Sequence, residues 1–536
     1  MSTLNNDGQA VTQALIDNVL NTRFEDIEPE VVDNTKRRIL DMVGDIIGGA
    51  KCPGNPELAA LINGWKGKQE ATIFGFGGKG PAHDVALLNA IFGRSFDRGP
   101  LTLIIEGDGK PGTIYIDGKP LRRFANHITE TTVPTALAMG ETMNISGKEL
   151  ITAIVAGDDL AARLYIANDR TPPGQASSPD LPPAPMTRGT TTTFGSTAIA
   201  GIMLGLDHTQ MNHAFGLAMM LGGGGSVMFP GQAPQTPKPL KQGSTDNRQA
   251  ANPGWLGIKD PFFLAQMAAG GYEETVGTKM SNGIEARNGI NAAQLAKAGW
   301  PGVKDPFFGE RGGYYPGLLS CNRRERITRN LGKHHIVEQV FKPWPGGRPT
   351  NAPTEAALNI VRKHDINPDD ITEITLFLSP AAAAVHYSKP YIVGDYPTMS
   401  SLWSFYFAVG STLFRKSSKN ENFTEEKIRD PKLQALIRKV KLDNLNKAEG
   451  IELQVKMKDG QVFSEYVARA LGEPYRPMSR DDLVSKFLEQ VAFSRLVLLK
   501  QTKKLISLLE KLEEVSDISE ITNLTFLKGN GKKVIV

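Results

Sequence analysis

The sequence predicts a mainly α protein with an inserted α+β lid, that is, a large all-helical domain plus a smaller α/β domain. Three observations carry this. Apolar residues recur at helical spacing through much of the first 335 residues. Between 336 and 477 the texture changes to alternating, strand-like runs. From Ser479 the helical pattern returns. The expected division is 1–335 for the first part of the helical domain, 336–477 for the lid, and 478–536 for C-terminal helices that rejoin the first part. A chain of 536 residues is too long for one simple core.

Residues 9–51 read as two helices. In the second, Ile39, Leu40, Val43, Ile46 and Ile47 fall on one face, and Gly48-Gly49 offers a stop. "PAHDVALLNAIFGRSFD" (81–97) is a further helix of small residues. In 98–126 two β-prone runs, LTLII and TIYI, flank a Gly/Asp/Pro turn and predict a hairpin-like excursion. Helical patterning resumes in "TVPTALAMGETM", "SGKELITAIVAGDDLAARLYIA" and "GSTAIAGIMLGLD". Proline- and glycine-rich stretches at 171–188 and 222–253 read as long loops, which are usually functional lids or disordered segments. "GWLGIKDPFF" (254–263) recurs as "GWPGVKDPFF" (299–308), a local duplication rather than a solenoid.

"ITEITLFLS" (371–379) has a strand pattern, and 450–470 reads as two strands joined by Lys458-Asp459-Gly460. Ser479 and Asp482 match a capping box, and apolar periodicity continues to about Leu512.

Composition removes several function classes. A net charge of +4 gives no bulk field for nucleic acid or an anionic membrane. Two cysteines, Cys52 and Cys321, rule out a disulfide-dense scaffold and a cysteine-rich metal site. The N-terminus has neither a basic nor an apolar signal region, and no apolar run approaches a membrane span, so a cytoplasmic protein is expected. There is no P-loop, HExxH, zinc-finger spacing or well-placed GxSxG. "GGGGS" (222–226) lacks the lysine and strand of a nucleotide loop.

The informative pattern is distributed. "RRILDMVGDIIGGA" (37–50), "NAIFGRSFD" (89–97), "HITETTVPTALAMGE" (127–141), "TRGTTTTFGSTAIAGIMLGLD" (187–207), "TKMSNGIEARNGINAAQLAKAGW" (278–300), "FKPWPGGRPTNAP" (341–353) and "FSEYVARALGEPYRPMS" (463–479) occur in this order. Together they resemble the MmgE/PrpD family over nearly the whole chain. That family contains 2-methylcitrate dehydratase, cis-aconitate decarboxylase and iminodisuccinate epimerase. The resemblance implies a cofactor-free site between a helical domain and an α/β lid, a homodimer, and a small di- or tricarboxylate substrate. It also implies proton abstraction beside a carboxylate, followed by loss of water, loss of carbon dioxide or reprotonation.

Carried over position by position, Asn89 is kept, a family histidine becomes Arg94, and the leading aspartate of a cluster matches Asp97. His127 matches the histidine that heads the next helix, whereas a second family histidine falls at Gly189. Lys279 matches the lysine before a GxAAxxG stretch, and Lys342 the lysine that opens the lid. Gly346-Gly347 replace cysteines or a histidine, Arg348 and Thr350 are kept, and a further histidine is Asn351. The family tyrosine aligns with Phe407, with Tyr406 one position early.

His127 is the expected general base, since histidine titrates near neutral pH. Asp97 would move a proton or orient His127 through a carboxylate–imidazole bond, or else simply end its helix. Tyr406 is a candidate general acid in an otherwise aromatic, core-like run. Arg94, Lys279, Lys342 and Arg348 would hold substrate carboxylates and stabilise an enolate-like anion. Thr191, in "RGTTTTFGS" ahead of a helix expected at 195–206, would offer a hydroxyl to an anion or serve as a cap.

The expected activity is a cofactor-independent hydro-lyase. Epimerisation or isomerisation, decarboxylation, and non-catalytic carboxylate binding are the alternatives. No cofactor, metal, nucleic acid or membrane partner is expected.

Overall fold

Apolar faces at helical spacing set the architecture. The computed structural model describes residues 8–104, 114–116, 119–121, 124–169, 188–222, 279–309, 313–317, 321–322, 324–336, 339–383, 386–447, 450–473 and 476–527. The larger part is built from α1 (Gly8–Asn21), α2 (Pro29–Gly49), α3 (Asn55–Gly64), α4 (Ala82–Arg94), α5 (Thr129–Met143), α6 (Gly147–Ile166), α7 (Arg188–Met203), α8 (His208–Leu221) and α9 (Met280–Lys297). On α2 the stripe Ile39, Leu40, Val43, Ile46 and Ile47 is buried in the main apolar core. Gly49 closes α2 where a Cβ would collide with the Phe92 carbonyl, so glycine lets α2 and α4 pack backbone to backbone. Gly283 does the same for α9, since a Cβ there would meet the Leu87 carbonyl oxygen at 2.7 Å. These approaches fix the C-terminal end of α4.

The excursion after α4 is wired differently from the expected hairpin. β1 (Leu101–Ile104) does not pair with the TIYI run. It pairs antiparallel with β4 (Phe124–Asn126) and with β5 (Gln339–Val340), while β2 (Ile114–Ile116) and β3 (Lys119–Leu121) pair with each other inside it. Asp117-Gly118 links β2 to β3, and a two-residue Asp-Gly link is a stronger hairpin signal than a long Gly/Pro turn. Pairing of β1 with β5 ties residue 101 to residue 340, where the chain enters the second part.

That second part carries a four-stranded sheet in the order β7 (Val440–Asn444), β6 (Ile371–Leu378), β8 (Ile451–Met457) and β9 (Val462–Val467). β6–β7 is parallel and the other pairs are antiparallel. The Lys458-Asp459-Gly460 turn forms as expected, with Gly460 at φ +89°. α10 (Asn351–Lys363) and α11 (Phe405–Arg415) pack with this sheet around a second apolar core, which Cys52 and Phe96 of the larger part also join.

Residues 478–521 return to the first core through Met478, Leu483, Phe487, Val491, Leu505 and Leu509. The expected capping box forms at Ser479 and Asp482. The helical run to Leu512 is broken, however, into α12 (Arg480–Ser494) and α13 (Leu499–Glu510). Arg495, at φ +58°, turns the chain so that Leu496 and Val497 reach the core. The threonine run 191–193 also differs from expectation. It lies inside the first turns of α7 rather than ahead of a helix, because burial of these side chains outweighs their modest helix propensity. The 222–253 loop apart from residue 222, nearly all of the 171–188 loop, and the first copy of the duplicated segment lie outside the described residues. No helix among the described residues is long and apolar enough to cross a membrane.

Candidate active site

α4 ends at Arg94, and three residues later Asp97 adopts a left-handed backbone at φ +46°. Aspartate tolerates this region better than most residues. The residue is 3% exposed, and its carboxylate faces the junction of the two parts. Oδ1 accepts from Lys342 Nζ at 2.7 Å and from Arg94, and Oδ2 accepts from Trp403 Nε1 at 2.7 Å. Lys342 is fully buried and follows β5, while Trp403 immediately precedes the Ser404 cap of α11. Asp97 therefore joins donors from both parts of the molecule.

His127 and Glu130 stand one helical turn apart where α5 begins, and their facing atoms, Nδ1 and Oε2, are 2.7 Å apart. Arg94 Nη1 lies 3.2 Å from Glu130 Oε1 and 2.9 Å from His127 Nδ1, and Lys342 Nζ is 4.0 Å from Glu130 Oε1. Two cations thus face two carboxylates around one imidazole.

The charges follow from this arrangement. Burial pushes the Asp97 carboxyl up, but Arg94, then Lys342, then His127 outweigh it and hold it far below the carboxylate range. Against the same burial, Arg94 and then His127 bring Glu130 down to about 2. For His127, burial and then the Arg94 cation push the imidazole down to about 4, with Glu130 opposing. At neutral pH the imidazole is uncharged. Its Nδ1 is within reach of both Arg94 Nη1, which can only donate, and the Glu130 carboxylate, which can only accept. The carboxylate against the imidazole is that of Glu130, 2.7 Å away, rather than that of Asp97, which the sequence suggested. Three donors converge on Asp97 and favour its carboxylate form.

A second layer supports this one. Asn282 of α9 donates to the His127 carbonyl at 3.2 Å and to Thr131 Oγ1 at 2.9 Å. Thr131 and Thr192 donate to Glu285 Oε2. Arg98 pairs with Glu489 at 2.7 Å and donates to the Pro343 carbonyl, so neighbours of Asp97 and Lys342 are also tied together. Lys486 of α12 donates to the Arg98 carbonyl at 2.8 Å and pairs with Asp41 at 2.7 Å.

Asp97, His127, Arg94 and Lys342 thus come together as one cluster. The other expected residues take partners elsewhere. Lys279 is buried with Nζ 2.8 Å from Cys52 Sγ. Arg348 spends its guanidinium fork on Glu473, at 2.6 and 2.7 Å. Tyr406 is half-buried against the second core, and burial raises its phenol. Thr191 is buried in α7, one residue before the Thr192 that contacts Glu285. Glu130, Trp403 and Glu285 were missed. Glu130 had a signal, its spacing of three from His127 at a helix start.

Asp97, His127 and Glu130 present ligand atoms within 4.8 Å of one another, a spacing that could hold a metal ion. Arg94 contacts all three, and Lys342 lies within 4.0 Å of both carboxylates. These cations already neutralise the two carboxylates, so the residues do not fit a divalent ion.

A helical body, an α/β domain and an imidazole–carboxylate pair at their junction define a two-domain protein with acid–base groups between its domains. The MmgE/PrpD N-terminal domain model matches residues 13–98 and 123–247, and the MmgE/PrpD C-terminal domain model matches 344–511. The chain belongs to the MmgE/PrpD family, whose members are dehydratases or related enzymes. The stretch between the two N-terminal matches holds β1, β2 and β3. No curated protein matches the chain.

Proposed function

We propose that the protein is a cofactor-independent hydro-lyase acting on a small di- or tricarboxylic acid. The observation that carries this reading is the His127–Glu130 pair set beside Arg94 and Lys342. The His127 imidazole takes the proton next to a substrate carboxylate. The enolate-like charge that develops is stabilised by the guanidinium and ammonium groups, which are already oriented and largely shielded from water. Side-chain exposure is 12% for Arg94 and 17% for His127, against 5% or less for Asp97, Glu130 and Lys342, so the substrate meets Arg94 and His127 first.

The bound anion also adjusts the base. An imidazole at about 4 is a weak proton acceptor. A substrate carboxylate against Arg94 offsets the cation that depresses it and so raises its proton affinity.

The test is incubation with a panel of methylcitrate- and aconitate-like acids in D2O, followed by NMR. An alkene or its hydrate, lost in His127→Ala, is the expected result. Deuterium uptake without net change would mean an epimerase, and loss of carbon dioxide a decarboxylase. Neither exchange nor conversion across the panel, or unchanged turnover in His127→Ala, would overturn the reading.

A further inference from the structure

Elimination needs an acid as well as a base, and the Arg94-centred cluster holds its carboxyls as anions. Glu285 differs from them. It lies on α9, is 9% exposed, and has no ion pair among the described residues. Among the described residues its Oε2 accepts hydroxyl hydrogens, from Thr131 at 3.1 Å and from Thr192. One turn earlier on α9, Asn282 is bonded to the His127 carbonyl, and Thr131 of α5 donates to Glu285 itself, so α9 is tied at both residues to the start of α5.

A buried carboxyl without a counter-ion favours its protonated form. The charged groups facing it are Arg94 at the end of α4 and Glu130 of α5, which act in opposite directions; Thr131 of α5 and Thr192 of α7 supply the hydroxyls. Burial dominates and pushes Glu285 up to about 7, while His127 is pushed down to about 4. Opposed environments of this kind mark the acid and the base of a site.

We propose that Glu285 is the proton-donating partner of His127, supplying the proton that leaves with the substrate hydroxyl. This rests on the lyase reading and deepens it. The His127 imidazole takes the α-proton, and the C–H electron pair becomes the new C=C bond. The C–O bond breaks with its pair going to oxygen, and the Glu285 carboxyl proton, passed directly or through one water, converts that oxygen to water. Glu285 is left as a carboxylate and His127 as an imidazolium, and solvent exchange restores both.

The experiment compares the full-length protein with Glu285→Gln and Glu285→Asp, using the acid that reacts in the panel. Deuterium exchange at the α-carbon and alkene formation are followed separately across pH. Glutamine keeps the shape and neutrality of the protonated acid, so the fold is expected to persist. Glu285→Gln should keep exchange but lose elimination by roughly 100-fold or more, together with the fall in rate as pH rises through neutrality. Glu285→Asp should recover part of both. Elimination at the wild-type rate with the alkaline limb in place overturns the proposal. So does equal loss of exchange and elimination in both variants, the mark of a structural role. A wild-type protein that neither exchanges nor eliminates overturns the lyase reading and this role together, whereas wild-type turnover with an unaffected Glu285→Gln overturns this role alone.

Discussion

Trp403 of the α/β domain donates its indole N–H to the Asp97 carboxylate of the helical part, with 2.7 Å between Nε1 and Oδ2. Both residues are buried, so water cannot replace the bond. Trp403→Phe keeps most of the apolar bulk and removes the donor. A hydrogen bond to a charged group is worth about 1.5–3 kcal/mol, and a loss of that size is expected in urea denaturation. A change below about 0.5 kcal/mol would show that the bond does not hold the domains together.

Asp97 and Lys342 should not respond alike to removal. Asp97→Asn strips the shared anion from Arg94 and from a fully buried Lys342, leaving Glu130, 4.0 Å from Lys342, as the remaining carboxylate, and the cost approaches the ~3–5 kcal/mol of breaking a buried pair. Lys342→Met leaves Asp97 still bonded to Arg94 and Trp403, and should cost less. Introducing Asp97→Asn on top of Lys342→Met should then cost less than it does in the wild type, which a double-mutant cycle would read. Equal single costs that simply add would contradict the shared-anion arrangement.

His127 and Glu285 should tilt stability with pH in opposite directions. The His127 pKa is lowered from 6.5 to about 4, so its contribution is present above 6.5 and is lost as pH falls through about 4. Glu285 is raised from 4.5 to about 7, so its contribution is present below 4.5 and is lost as pH rises through about 7. Each change is at most about 3–4 kcal/mol. Relative to wild type, His127→Gln should gain stability below pH 6.5, and Glu285→Gln should gain it above pH 4.5. Thermal melts across pH would read both. A stability difference from wild type that stays flat across its window would refute that variant's assignment.

What could be read from the sequence was what local rules govern. The stripe on α2, the capping box at Ser479 and Asp482, and the Lys458-Asp459-Gly460 turn all depend on residues within a few positions of one another. So does His127 with Glu130. Partners far apart in the chain were not legible. Nothing near Trp403 points to Asp97, 306 residues away, and nothing near Arg348 reveals that Glu473 already occupies its fork. A basic residue looks the same in sequence whether or not it is paired. Glu285 was overlooked for another reason. In Gly283–Gly289 it stands at an alanine position of the GxAAxxG stretch, so matching to the family passes over it.

Finally, substrate should move the titration of the base. In the free protein His127 loses its proton at about 4, because burial and Arg94 both oppose the imidazolium. A bound carboxylate engages Arg94 and places a negative charge near the ring, and both effects favour the imidazolium. The acid limb of kcat/KM reports the free protein and that of kcat the complex. On the lyase reading, the kcat limb should therefore lie at higher pH than the kcat/KM limb, by one pH unit or so for each ~1.4 kcal/mol of relief. Arg94→Gln removes the depressing cation at the outset, so its kcat/KM limb should move up and the gap should shrink. Parallel limbs in the wild type, or an unmoved kcat/KM limb in Arg94→Gln, would show that Arg94 does not set the basicity of His127.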